Sequence, residues 1–290
     1  MDTYLAWRAL GAVALSLPLD LGHAIARRLA DLGYRRNVQA VRGLRANISR
    51  AMGASASAAR VDGAVRQAYR TLLSNYFDLF RLPALSAEQL RALIPVSGWE
   101  IVQAARALGR GVILCSAHLG HVEAAVQIVT LKGLPTLGPA EHIRPERLYR
   151  YLVSLRTRHG IRLIPTDGPM LGLFRTLRRG EAVGLALDRD VTGTGVQVMV
   201  CGEPAHVPDG YARVAARTGS PIVIGFCYRQ PGGRVWAELG PSFVPDPVAD
   251  REETYRAALN FGVQALERAI TAHPEQWVLT TPLWKANINP

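Results

Sequence analysis

His118 and Glu123 lie in the run GVILCSAHLGHVEAAVQIVTLKG (residues 111–133) and have the residue types of a general base and its orienting carboxylate. A carboxylate on one imidazole nitrogen fixes the tautomer and stabilises the cation formed when the other nitrogen takes a proton. On a continuous helix two residues five apart point about 140° away from each other. The pair can meet only if His118 is on a turn and Glu123 in the first turn of the helix that follows. His121 adds a second chemistry, because His118, His121 and Glu123 could be written as metal ligands of a metal-assisted hydrolase. Two further polar groups could join the site. Asp188-Arg189-Asp190 follows an apolar run, and Glu141 precedes an arginine-rich segment carrying Arg144, Arg147, Arg150, Arg156 and Arg158. The plain alternatives are a salt-bridged turn and a solvated basic face.

The elements that must position these groups can be read from periodicity. Gly111–Cys115 is short and β-branched enough for a buried strand, and a helical pattern runs from about His121 to Leu131, stopped at Gly133. Further strands are expected at Val96, Leu134–Leu137, Arg162–Pro165, Glu181–Leu187, Val196–Val200, Pro221–Tyr228 and Arg234–Leu239. Helices are expected at Trp99–Leu108, Arg144–Arg158, Met170–Arg179, Gly210–Thr218 and Glu252–Ala272. Strands alternating with helices predict an α/β fold with a largely parallel central sheet covered by helices. His118 and Asp188 would both follow carboxyl ends of parallel strands, where ligands bind in such sheets, with Arg156 on a helix between them, placed to pair with Asp188 or hold a phosphate.

Residues 1–95 read as an all-helical N-terminal region and 96–290 as the α/β domain. The apolar stretch Ala9–Leu19 falls short of the ~20 residues of a spanning helix, and neither the charge pattern nor the cleavage site of a secretory signal is clear. Leu21–Arg36 alternates small and apolar residues with Arg27, Arg28, Arg35 and Arg36, as a basic amphipathic helix on an anionic membrane would. The aromatic stripe Tyr69, Tyr76, Phe77 and Phe80 reads as core. The formal charge is +11 and the pI about 10.2, which favours anionic partners. Cys115, Cys201 and Cys227 fall in apolar runs without CxxC spacing and read as reduced core residues. A non-catalytic lipid- or nucleic-acid-binding protein is the other class this charge admits. No Walker loop, Rossmann fingerprint or GxSxG elbow is present.

Three blocks in order, GVILCSAHLGHVEAA, ALDRDVTGTGVQVMVCGEPAHVPDGYARVAARTGSPIV and HPEQWVLTTPLWK, resemble the bacterial lipid A biosynthesis (lauroyl/myristoyl) acyltransferases. The likeness is strongest to their relatives that acylate phosphatidylinositol mannosides. It departs from the family at His121, usually Asn, and at Val200-Cys201, usually Phe. The resemblance implies a glycerolipid acyltransferase-like fold and a His-x4-Asp/Glu motif at His118 and Glu123. It also implies substrate-binding roles at Glu141, Arg156 and Asp188, to which the cluster reading adds Arg189. The implied reaction moves a fatty acyl chain from acyl-CoA or acyl carrier protein to a hydroxyl of a glycolipid or phospholipid. The enzyme would be peripheral on the cytoplasmic face of the cytoplasmic membrane, with no metal, no other cofactor and no nucleic-acid partner. Backbone N–H groups near Leu119-Gly120 are the expected oxyanion donors.

Overall fold

A computed structural model describes residues 2–230 and 234–284. Lys285, the last residue of the tail motif, lies outside them. The strands are β1 (Val96–Ser97), β2 (Val112–Ser116), β3 (Thr136–Ala140), β4 (Arg162–Pro165), β5 (Ala182–Ala186), β6 (Val196–Val200), β7 (Glu203–Val207), β8 (Ile222–Arg229) and β9 (Val235–Phe243). Seven of them form one sheet in the order β1-β9-β8-β2-β5-β3-β4, and every neighbouring pair is parallel except β8 with β9. This is the mostly parallel α/β fold expected from the alternation of elements. The turn at residues 201–202 folds β6 and β7 into a separate antiparallel hairpin. Periodicity did not show β7, because Glu203-Pro204 opens it without an apolar run.

Strand order carries the site. The chain passes from β2 through α7 (Val122–Leu131) to β3, then through α8 (Glu146–Thr157) to β4 and α9 (Leu171–Arg178) to β5. β5 returns between β2 and β3, with Ser116 opposite Ala186. The residues after β2 and after β5 therefore leave the sheet side by side. β3 starts later than the expected Leu134, at Thr136 after Pro135, and runs on to Ala140. Its ladder with β5 covers only Thr136 and Leu137. Beyond Gly138 comes Pro139, which has no N–H to give a ladder. There the two strands part, and both line a cavity.

The sheet is covered on both faces. Val102 and Ala105 of α6 (Trp99–Ala107) pack with Val129 of α7 over Val112, Ala182 and Val223. On the other face α9, α10 (Gly210–Thr218) and α11 (Arg251–Ala272) close over Ile113, Val183 and Ile224. Five helices occupy the N-terminal region: α1 (Thr3–Ser16), α2 (Leu19–Arg35), α3 (Gln39–Met52), α4 (Ala58–Arg81) and α5 (Ala87–Leu93). α4 is their spine, and the aromatic stripe on it is partly core: Tyr69, Phe77 and Phe80 are buried, whereas Tyr76 is 41% exposed and lines the cavity.

α1 and α2 are built the opposite way to a helix of a water-soluble core. Their buried residues are small: Gly11 and Ala14, then Gly22, Ala26 and Ala30. A Cβ on Gly22 would lie 2.0 Å from Phe77, and one on Gly11 would lie 2.3 Å from the Tyr151 hydroxyl. Their large apolar side chains face outward; Leu5, Leu10, Val13, Leu15, Leu21, Ile25, Leu29 and Leu32 are all exposed. No described helix is long and apolar enough to cross a membrane.

α3 clamps the C-terminal tail. Asn47 is fully buried; its Nδ2 donates to the carbonyls of Leu279 (2.8 Å) and Thr281 (2.9 Å), and its Oδ1 accepts from the Leu283 N–H (2.8 Å). Asn47→Ala would leave these three backbone groups unpaired, each lost partner costing on the order of 1 kcal/mol. We expect urea denaturation to show a stability loss of about 3 kcal/mol, with a loss below about 1 kcal/mol meaning that the tail is held elsewhere.

Candidate active site

β2 ends at Ser116, and the next five residues form the turn into α7. Every part of that turn is tied down. The Gly120 N–H donates to Gln276 (2.8 Å) and the His121 N–H to the Cys227 carbonyl of β8 (2.7 Å), while the His118 carbonyl accepts from the Val278 N–H (2.8 Å). Gly120 has φ +61°, and a Cβ there would sit 1.8 Å from the Cys227 carbonyl oxygen, so only glycine fits. Asn75 of α4 donates to the Gly120 carbonyl at 2.6 Å. Arg229 of β8 holds Asn75 in turn through its Oδ1 (2.9 and 2.7 Å) and also bonds Asp78.

This bracing aims His118. Its Nδ1 is 2.8 Å from Asp188 Oδ1, and its backbone N–H donates to Asp188 Oδ2 at 2.8 Å. The Trp277 indole N–H donates to the same Oδ2, also at 2.8 Å. Asp188 is 1% exposed and Trp277 fully buried, whereas about a third of the His118 side chain remains accessible and lines the cavity. Burial would raise the Asp188 pKa, but the His118 imidazole, the indole and the His118 amide together hold it below the usual carboxylate value. Asp188 is thus ionised and accepts only, so His118 Nδ1 carries the proton and Nε2 holds the free lone pair. For His118, burial disfavours the cation, yet the charge and hydrogen bond of Asp188, helped by Glu123, raise its pKa above 6.5.

The partners differ from those expected of the motif. The carboxylate on the His118 ring is Asp188, seventy residues away in sequence, rather than Glu123. Glu123 faces Arg156, with Arg156 Nη2 at 2.6 Å from Oε1. Arg156 accordingly pairs with Glu123 and not with Asp188, and Asp188 lies behind His118 with both oxygens engaged, where it cannot touch a substrate. Glu141 pairs with Arg189 at 2.5 Å. Glu123, Glu141, Arg156 and Arg189 all line the cavity with His118. The Arg156 Nε is buried and without an acceptor among the described residues. The N–H groups of Leu119 and Gly120 do not serve an oxyanion, since they donate to Ala117 (2.7 Å) and Gln276.

His121 does not join His118. It is 2% exposed and turned to Asp78, 3.5 Å away. Burial, with Arg229 adding, pushes its pKa down to about 3, so it is neutral. Among the described residues no three His, Cys, Asp or Glu side chains are grouped to share a metal ion. Cys115 is buried and its thiol pKa is pushed far up by burial, and the Ser116 hydroxyl donates to the Ala117 carbonyl. Neither is set up as a nucleophile.

The cavity is about 740 Å³, within the usual range for ligand sites. Its walls are mainly apolar, including Trp7 of α1, Leu114, Val126, Leu152 and Phe226. A histidine lining an apolar cavity suits a reaction between a polar group and a long hydrocarbon substrate. The whole chain agrees with that chemistry: residues 3–286 match the bacterial lipid A biosynthesis acyltransferase family. The chain belongs to this family. Its activity is O-acyl transfer. Curated relatives include the phosphatidylinositol mannoside acyltransferase of Mycobacterium tuberculosis (strain CDC 1551 / Oshkosh), 30% identical over 220 residues, covering 73% of this chain and 67% of that one. The enzyme of the same name from Mycolicibacterium smegmatis is 29% identical over 233 residues, covering 78% and 73%.

Sequence reading missed Trp277 and Asn75, which hold Asp188 and the turn at Gly120. Trp277 stands in the tail block, but its partner is 89 residues away. Asn75 sits among the aromatic residues of α4, where nothing marks it.

The electrostatics make a direct test. In the Asp188→Asn protein burial of His118 is no longer opposed by a carboxylate. Imidazole NMR titration should place His118 above 6.5 in the wild type and below 6.5 in the variant. An unchanged midpoint would mean that Asp188 does not set the charge of His118.

Proposed function

We propose that the protein moves a fatty acyl chain from an acyl thioester to a hydroxyl of a membrane glycolipid or phospholipid, with His118 as general base. The observation that carries this reading is the His118–Asp188 pair, whose histidine lines the apolar cavity. His118 Nε2 takes the proton of the acceptor hydroxyl as the oxygen attacks the thioester carbonyl. Asp188 holds the ring through Nδ1 and stabilises the imidazolium. When the tetrahedral intermediate collapses, the carbon–sulfur bond breaks and the proton passes from His118 to the departing thiolate, regenerating neutral imidazole. No acyl-enzyme is required.

The charge on the oxyanion needs donors fixed in advance. Arg156 supports this role, because Nη2 is held by Glu123 while the buried Nε has no acceptor. The pair Glu141–Arg189 supports a second role, gripping hydroxyls or phosphate of a substrate headgroup. Glu123 is then a support for Arg156 and only a distant electrostatic aid to His118. The names of the curated relatives favour a mannose-bearing phosphatidylinositol as acceptor. The donor is acyl-CoA or acyl carrier protein, whose phosphopantetheine thioester both share.

The enzyme works on this reading as a peripheral protein of the cytoplasmic face of the membrane. The outward apolar faces of α1 and α2 support the contact, since exposed apolar area of that extent is stabilised by entry into the headgroup–acyl boundary. Trp7 of α1 lines the same cavity as His118, so the helix at the bilayer also borders the acyl site.

Two variants measured with labelled palmitoyl-CoA and a mycobacterial glycolipid extract test the chemistry. His118→Ala should lower turnover by about 10³-fold with the fold intact by circular dichroism. Arg156→Gln should lower kcat by about 10²-fold, the cost of one oxyanion donor, with little change in KM. Wild-type turnover by His118→Ala would end the general-base reading.

A further inference from the structure

A second recess lies far from the catalytic histidine in sequence and in composition. It has a volume of about 400 Å³ and is lined by Ala24, Arg27, Arg28 and Asp31 of α2 with Arg66 and Arg70 of α4. Asp31 is its only acidic lining residue. That carboxylate is 2.8 Å from Arg66 Nε, 2.8 Å from Arg70 Nε and 2.7 Å from Arg70 Nη2. Hydrogen bonds from Arg66 and then Arg70 hold its pKa far below the usual carboxylate value, so it stays ionised. Four arginines thus line a recess that holds one carboxylate, and Arg27 and Arg28 are in no ion pair among the described residues. A lone Asp31 fixes the forks of Arg66 and Arg70 but leaves most of their N–H donors unused.

The position of the recess on α2 narrows its ligand. At about 100° per residue, Leu21, Ile25, Leu29 and Leu32 share an arc of about 80°, while Gly22, Ala26 and Ala30 point to α4. Those four apolar side chains are between 39% and 55% exposed. Arg28 borders that outward arc, and Arg27 and Asp31 lie between it and the α4 contact on the flank where Arg66 and Arg70 arrive. An apolar face with an arginine-lined recess at its rim matches a bilayer surface, where hydrocarbon begins a few ångströms below the phosphates. Planar guanidinium groups suit the paired oxygens of a phosphate diester better than ammonium groups do.

We propose that Arg27, Arg28, Arg66 and Arg70 form a headgroup site for the phosphate of an anionic membrane phospholipid, separate from the catalytic cavity and docking α2 on the bilayer. The site rests on the membrane contact inferred for α1 and α2, and adds to it a preference for anionic lipid. Bound there, one lipid phosphate orients the protein with Trp7 and the cavity toward the membrane.

The test is sedimentation of the full chain with vesicles of phosphatidylcholine alone and of phosphatidylcholine with phosphatidylglycerol. Wild type should favour the second, and Arg27→Gln/Arg28→Gln should weaken that partition about thirtyfold while leaving the binding to phosphatidylcholine unchanged. Arg27→Lys/Arg28→Lys keeps the charge and loses the forks, so a built site predicts a loss of several-fold. Equal partition of the lysine variant and wild type would mean diffuse charge attraction and would overturn the site. Displacement of the wild type by excess glycerol 3-phosphate at constant ionic strength would overturn the lipid as its ligand. Ile25→Ser/Leu29→Ser separates the two levels, because it should weaken binding to both vesicles. If wild type binds neither vesicle, the membrane contact itself fails; if it binds both and the glutamine variant matches it on phosphatidylglycerol, only the arginine site fails.

Discussion

A buried carboxylate is the constraint on which the site depends. Asp188 has almost no contact with water, and an isolated ion in such a place would cost several kcal/mol. Three donors offset that cost: the ring and backbone N–H groups of His118 and the indole of Trp277. The three residues involved come from different parts of the architecture. β5 delivers the carboxylate, the turn after β2 delivers the histidine, and the C-terminal tail delivers the indole. Satisfying Asp188 therefore draws three distant segments into one place, and the same contacts leave one imidazole nitrogen free toward the cavity.

The remaining structure serves to keep that geometry. The tail can present Trp277 because Asn47 in α3 holds its backbone, and the turn keeps its path because Asn75, itself held by Arg229, and Gln276 hold Gly120. The helical region thus helps to build the site. α3 and α4 contribute side chains that hold the tail and the turn after β2, and α1 contributes Trp7 to the cavity wall. α1 and α2 bury glycine and alanine and expose leucine, the reverse of a helix packed on a water-soluble core.

Much of this was legible in the sequence, and the exceptions have physical reasons. The alternation of short apolar strands with amphipathic helices gave the sheet, since side-chain period is set locally. His118 was legible from its place between a buried strand and a helix. The partner of His118 was not. Glu123 is near in sequence and reaches the same cavity, but Asp188 wins because β5 inserts beside β2, a choice of strand order that no local pattern encodes. Both residues were read at strand ends facing one edge, so the shared location was visible while the pairing was not. The backbone donors assigned to Leu119 and Gly120 failed for a similar reason: their acceptors are at Ala117 and in the distant tail. The hairpin strand β7 escaped because a charged residue and a proline begin it.

The central claim is that Asp188, and not Glu123, governs the base. The most direct measurement is kcat/KM for acyl transfer by Asp188→Asn and Glu123→Gln, compared in one assay with folded protein. If Asp188 sets the tautomer and charge of His118, Asp188→Asn should lose about 10³–10⁴-fold, as removal of the orienting carboxylate does in other histidine-base sites, and Glu123→Gln should lose at least tenfold less. A larger loss in Glu123→Gln than in Asp188→Asn would contradict the account.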